Sequence, residues 1–92
     1  MPSLKLIKLH QAPRVPIDDT IPHEVIKLHV ENDWSMVRAW REYLGVTQVE
    51  MAQRLEVRQP THANMESVDA RPRKATIARI AEALGVSTQQ LI

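Results

Sequence analysis

The side chains best suited to chemistry in this sequence are two amides, a hydroxyl and an imidazole that lie within six residues of one another: Gln59, Thr61, His62 and Asn64. A side-chain amide can form paired hydrogen bonds with N6 and N7 of adenine, and a threonine can reach a thymine methyl group. The four residues are therefore candidate base readers of a nucleic acid. For Gln59 a plain helix-start role stays open, and the context of His62 favours a solvent-facing or phosphate-contacting position.

The pattern before these residues predicts the elements that position them. Thr47, with Glu50 three residues later, forms a capping box that starts a helix over 48–55. Glu56 and Val57 make a sharp turn, and a polar helix follows from Gln59 to about residue 67, with a proline in its first turn. A helix, a tight turn and a polar helix form the layout that inserts side chains into the major groove of DNA.

The remaining helices are predicted from caps and apolar spacing. Asp33 caps a helix over 34–44 that Gly45 ends, and a further helix covers 75–84. A last short helix follows the cap residue Ser87. Residues 20–34 carry an additional helix, with Thr20 as its N-cap and a broad apolar face made of Val25, Ile26, Leu28 and Val30.

Residues 1–19 show proline and turn signals and no helical period, which predicts a flexible or extended arm. The alternation over Leu4–Leu9 suits a brief strand, and an extended arm of this kind can bind a partner by adding a strand to its sheet. A tail without any partner is the alternative. The sequence thus divides into an arm (1–19), an additional helix (20–34) and a helical domain (35–92).

Composition narrows the function classes. The net charge is +1, but residues 35–92 carry eight basic and six acidic side chains, and the excess lies at Arg71, Arg73 and Lys74. This basic stretch suits a DNA backbone, although the three charges taken alone favour a solvated loop. There is no cysteine and no apolar run long enough to span a membrane, so we expect a cytoplasmic protein. The four histidines lack metal-ligand spacing, and no nucleophile, base or glycine-rich loop indicates an enzyme or a cofactor.

Residues 35–92 resemble the Xre/phage-repressor family of helix-turn-helix proteins. The resemblance rests on Gly45-Val46-Thr47-Gln48, on Gln59-Pro60, on Met65-Glu66 and on Ala83-Leu84-Gly85-Val86 in the family's order and spacing. It implies an all-α, five-helix lambda-repressor-like domain, to which residues 20–34 add a helix. It also implies a structural clamp between Arg41 and Glu66. The expected phosphate contacts are Thr47, Gln48, Arg58, Arg71, Arg73 and Lys74, although Gln48 could serve the helix cap alone.

Three positions depart from the family pattern. Glu56 stands where the turn usually holds a glycine, and a left-handed glutamate costs on the order of 1 kcal/mol. Arg58 replaces the serine or threonine that usually caps the polar helix, and Val68 stands near a usual glycine. A β-branched residue rarely accepts a positive φ, so we expect that helix to end differently, toward Asp69.

The segment Ile21–Leu28, followed by Ser35–Glu42, resembles the HigA-like antitoxins that pair an Xre domain with a RelE/ParE-type toxin. This resemblance implies a repressor of its own promoter that also neutralises a small basic toxin protein. Because a lone domain contacts too few base pairs for useful specificity, we expect a homodimer on an inverted-repeat operator. Two alternatives stay open. One is a stand-alone phage-type regulator, and the other is a partner-sequestering module that has lost DNA binding.

Overall fold

The structure is a computed structural model that describes residues 13–92. This part of the chain is all helical, with no β-strand, which confirms the predicted fold class. Its elements are α1 His23–Asn32, α2 Met36–Leu44, α3 Gln48–Leu55, α4 Gln59–Met65, α5 Lys74–Leu84 and a 3-10 turn Thr88–Gln90. The predicted strand over Leu4–Leu9 lies outside the described residues.

One apolar core joins nearly all of these elements. Trp40 of α2, Met51 of α3 and Ile80 of α5 are fully buried, and α1 adds Val25 to the same cluster. The additional N-terminal helix therefore packs as part of the domain core. Within α1, however, the predicted broad apolar face is wrong: Ile26 and Val30 are exposed, because only one narrow stripe of the helix faces α2.

The helix starts near residue 20 and residue 34 differ from the prediction. Pro22, not Thr20, is the N-cap residue of α1, and the Thr20 hydroxyl donates instead to Asp18 Oδ1 at 2.7 Å. Asp33 does not cap α2, because it adopts a left-handed conformation (φ 57°) that closes the C-terminus of α1. Ser35 caps α2, its hydroxyl accepting from the Arg38 backbone N–H at 3.2 Å.

The central helices follow the sequence pattern closely. α3 has the predicted bounds, and both halves of the Thr47–Glu50 capping box are present. Gly45 ends α2 and Gly85 ends α5, each in the left-handed region that glycine adopts at low cost. Glu56 also takes a left-handed conformation (φ 57°), as expected for a residue in a glycine position.

Two predicted helix ends are too long. α4 stops at Met65, with Glu66 right-handed as its C-cap, so it reaches neither residue 67 nor Asp69. The last predicted helix is a single 3-10 turn closed by a capping box between Ser87 and Gln90. Leu91, the C-cap residue of this turn, is buried in the core.

The described part of the arm lies against the domain. Residues 13–22 contain no helix or strand, yet Tyr43 Oη donates to the Arg14 carbonyl at 2.9 Å. Gln90 Nε2 donates to the carbonyls of Pro16 (3.0 Å) and Thr20 (2.8 Å). The described part of the arm is therefore extended and hydrogen-bonded to the domain, because a buried side-chain amide near residue 90 donates to two carbonyls of this stretch.

Candidate nucleic-acid interface

The outward face of α4 carries three of the four candidate base readers. The side chains of Gln59, Thr61 and Asn64 are exposed, while His62 and part of Met65 face the protein. Thr61 and Asn64 also line a shallow, open groove together with Arg71 and Thr76, the latter in the first turn of α5. Amide and hydroxyl groups therefore face solvent along one side of a short helix, beside a basic side chain.

Basic residues flank this helix on both sides in the chain. Arg58 precedes α4, and the loop before α5 contributes Arg71, Arg73 and Lys74, all with exposed side chains. Arg71 is partly fixed, since its Nη1 donates to the Ala70 carbonyl at 2.9 Å. Positive charge therefore lies beside hydrogen-bonding groups. This suits a DNA duplex, whose charged phosphates flank grooves that expose the base edges.

Thr47 and Gln48 at the start of α3 are engaged within the protein. The Thr47 hydroxyl accepts from the Glu50 backbone N–H at 3.0 Å, and the Thr47 N–H donates to the Glu50 carboxylate. The donation from the Thr47 backbone N–H to the carboxylate, followed by the Thr47 side chain beside that carboxylate, lowers the pKa of Glu50. Gln48 Nε2 donates to Glu66 Oε1 at 3.1 Å, and Gln59 Nε2 lies 3.5 Å from Gln48 Oε1. The amide of Gln48 thus connects the buried carboxylate to the first residue of α4.

Arg41 and Glu66 form a buried ion pair at the end of α4. The Arg41 Nε donates to Glu66 Oε2, and its Nη2 lies 3.2 Å from Oε1. The two side chains are 7% and 3% exposed. Burial alone would raise the pKa of Glu66, but hydrogen bonds from Arg41, Gln48 and His62 and the Arg41 charge hold that pKa below its usual value. Glu66 is therefore a stable buried anion, as the sequence-based pairing with Arg41 requires.

His62 occupies a different place from the one expected. It is 0% exposed, and its Nε2 lies 2.7 Å from Glu66 Oε2. The ring lies on the inward face of α4 and packs against the ion pair. In this conformation His62 therefore cannot read a base, contact a phosphate or face solvent. The polar residue type suggested exposure, but a partner four residues later on the same helix satisfies its N–H in the interior.

Comparison with known proteins identifies the family of this arrangement. Residues 36–91 match the profile of a helix-turn-helix domain. The chain belongs to the helix-turn-helix domain family. Comparisons with curated proteins and with solved structures gave no match. In helix-turn-helix terms, α3 is the first helix of the motif and α4 is the recognition helix, an arrangement typical of DNA-binding regulators.

Sequence patterns missed two residues of this helix-turn-helix interface. Ser35 caps α2 and also donates to the Glu66 carbonyl at 2.7 Å, so it fixes the C-terminus of the recognition helix from 31 positions away. Thr76 shares the open groove with Asn64. Ser35 could have been recognised as a cap, but no local signal indicates its second contact.

Other classes of site find no support in the described part of the chain. Among residues 13–92, no group of three histidine or acidic side chains is placed to hold a metal ion. No helix in that range is both long and apolar enough to cross a membrane.

Proposed function

We propose that this protein is a sequence-specific DNA-binding transcriptional repressor that inserts α4 into the major groove. The observation that carries the proposal is the exposure of Gln59, Thr61 and Asn64 on one side of a helix whose opposite side is tied to the core through Glu66. Gln59 and Asn64 would read adenine through paired amide hydrogen bonds, and Thr61 would contact a thymine methyl group or a phosphate.

Phosphate contacts would surround the reading helix. Arg58, Arg71, Arg73 and Lys74 are exposed and would neutralise backbone charge. Thr47 and Gln48 remain candidates at the N-terminus of α3, where backbone N–H groups favour an anion even though both side chains have partners within the protein.

One such helix contacts too few base pairs to define an operator. We therefore infer a homodimer whose two recognition helices enter successive major grooves about 34 Å apart on an inverted repeat. Sedimentation with and without a selected duplex would measure the stoichiometry, and a complex of one subunit per specific site would contradict the dimer.

The finer role that we propose is that of an antitoxin in a type II toxin–antitoxin module. Its support is the antitoxin-like sequence of Ile21–Leu28 and Ser35–Glu42 and the placement of residues 13–22. That segment accepts hydrogen bonds from Tyr43 and Gln90, and neither of these donors is a candidate base reader. A bound toxin could therefore use the N-terminal region while α4 stays free for DNA.

Two point variants separate base reading from phosphate binding. Replacing Gln59 with alanine should cost about 1–3 kcal/mol on the proper site and little on random DNA, whereas Arg73→Ala should weaken both and reduce the salt slope by about one. Gln89→Ala, another exposed glutamine but on the 3-10 turn, is the matched control. Fluorescence anisotropy over a range of salt concentrations measures all three, using a duplex selected in vitro by the wild type.

A partner-sequestering module is the second candidate, favoured by the exposed carboxylates of Glu56 and Asp69 near α4. Absence of any DNA binding by the pure dimer at low salt would support this candidate and refute the repressor. Co-expression with the product of the adjacent open reading frame, which the antitoxin role expects to be a small basic toxin, tests that role separately. Co-purification together with restored growth is expected, and independent migration of the two proteins would count against it.

A further inference from the structure

The inward face of α4 carries a polar ring at a position where an apolar side chain would need no hydrogen-bond partner. His62 is fully buried, and its Nδ1 has no hydrogen-bond partner. A buried polar group is costly unless it is hydrogen-bonded, so half of this ring is poorly satisfied. The favourable contact of Nε2 with Glu66 must therefore account for the presence of a histidine here.

The hydrogen-bond geometry assigns a tautomer to His62. An ionised carboxylate only accepts hydrogen bonds, so Nε2 must carry the hydrogen that points to Glu66 Oε2 at 2.7 Å. Nδ1 is then a bare acceptor, which is less costly to leave unpartnered than a buried N–H. The charged groups facing this contact are Glu66 on the same helix and Arg41 from α2, and the amide of Gln48 faces it from α3.

The contact determines how Glu66 shares its two oxygens. Oε2 accepts from His62 and from Arg41 Nε, while Oε1 accepts from Arg41 Nη2 and from Gln48 Nε2. With all four donors in place, the carboxylate cannot turn without losing one of them. Gln48 then has its nitrogen directed inward and its oxygen directed toward Gln59 Nε2, 3.5 Å away.

We propose that His62 is a positioning residue for DNA reading: its Nε2–H holds the Glu66 carboxylate so that the Gln48 amide presents its oxygen to Gln59 and orients that base reader. This inference rests on the proposed DNA-binding function and adds to it. His62 touches no DNA itself, and its effect reaches the duplex through two side chains.

The first test needs no variant. Nitrogen-15 NMR of the wild-type protein at neutral pH should show His62 as the Nε2–H tautomer, with a slowly exchanging proton hydrogen-bonded to Glu66. A ring in the Nδ1–H form, or a rapidly exchanging Nε2 proton, would overturn the proposal, because neither fits a buried donor to Oε2.

The second test compares donors at the same position. His62→Leu fills the space without a donor, and His62→Gln can place an amide N–H near the original Nε2. Met51→Leu, another fully buried position without a side-chain polar contact, on α3, is the matched control. Each variant is measured against the duplex selected by the wild type and against random duplex.

His62→Leu should weaken binding to the selected duplex by about tenfold, the lower end of what one paired amide–adenine contact contributes, because Gln59 loses its fixed orientation; it should leave random-duplex binding within about twofold. His62→Gln should recover to within about threefold of the wild type. The Met51 control should keep the ratio of the two affinities. If His62→Leu does not fold, His62→Asn serves as the deficient variant, because its amide is too short to reach Oε2.

An unchanged ratio of selected to random affinity in a folded His62→Leu or His62→Asn protein would overturn the inference while leaving the repressor proposal intact. A folded His62→Gln as weak as the deficient variant would do the same. If the wild type selects no sequence at all, the proposed function itself is wrong, and the inference falls with it.

Discussion

Replacing Arg41 with methionine is expected to be among the most damaging single changes to this domain. The substitution keeps much of the side-chain volume but removes every donor that Arg41 provides. Those donors reach both oxygens of Glu66, the Val46 carbonyl at 2.8 Å and Glu42 at 3.2 Å. Glu66 would keep only Gln48 and His62 as side-chain donors, and its charge would stay buried without a countercharge.

The expected cost follows from that uncompensated charge. Breaking a buried ion pair by removing one partner costs on the order of 3–5 kcal/mol. A second change, Glu66→Gln, removes the stranded charge, and its single amide oxygen can still accept from one of the two remaining donors, His62 or Gln48. The double variant should therefore regain a large part of the loss, and the coupling between the two positions should be well above 1 kcal/mol.

The pH dependence has opposite signs in the two proteins. In the wild type the pKa of Glu66 is lowered in the folded state, so its contribution is present above the unfolded pKa and lost as pH falls through the folded pKa. Without Arg41, burial dominates and should raise that pKa above the unfolded value. Acidification from neutral pH should then lower the free energy of unfolding of the wild type. The difference in that free energy between the wild type and Arg41→Met should become smaller.

Urea unfolding followed by far-UV circular dichroism at several pH values measures all of these quantities. The tryptophan fluorescence of Trp34 and Trp40 gives a second, independent probe of the same transition. Two results would refute the reasoning: a single-variant loss below about 1 kcal/mol at neutral pH, or losses at the two positions that simply add.

Three further changes probe the remaining features. Glu56→Gly should raise the free energy of unfolding by up to about 1 kcal/mol, because φ is 57° at this position; an unchanged thermal midpoint would contradict that. Trp40→Phe should cost about 1–3 kcal/mol in urea unfolding, since its buried Nε1–H donates to the Gln90 carbonyl at 2.8 Å; a loss of a few tenths would be too small. Gln90→Leu should speed tryptic cleavage after Arg14 by releasing the arm, whereas exposed Gln89→Leu should not; equal rates would refute that anchor.

Local patterns were sufficient for much of the motif. The bounds of α3 follow from a capping box that is complete within four residues, and the ends of α2 and α5 follow from Gly45 and Gly85. These signals act between neighbours in sequence, so they can be recognised without tertiary structure.

The errors arise where distant residues decide. Asp33 and Ser35 are both good cap types two positions apart, and the local sequence does not choose between them. In the folded protein Ser35 is the cap, and its hydroxyl also donates to the Glu66 carbonyl. Asp33 adopts a left-handed conformation and ends α1. His62 was misplaced for a similar reason, since its burial depends on an ion pair whose other member lies in α2.

The same long-range contacts explain how so short a recognition helix can hold a fixed direction. α4 has seven residues and no side-chain N-cap hydrogen bond, and an isolated helix of that length is unstable in water. Its C-terminus is instead held at Glu66, whose carboxylate and carbonyl receive donors from α2, from α3 and from Ser35. Fixing one end of a helix at several points leaves the exposed face with Gln59, Thr61 and Asn64 in one orientation, so the order that the proposed base reading needs comes from the core and not from the helix itself.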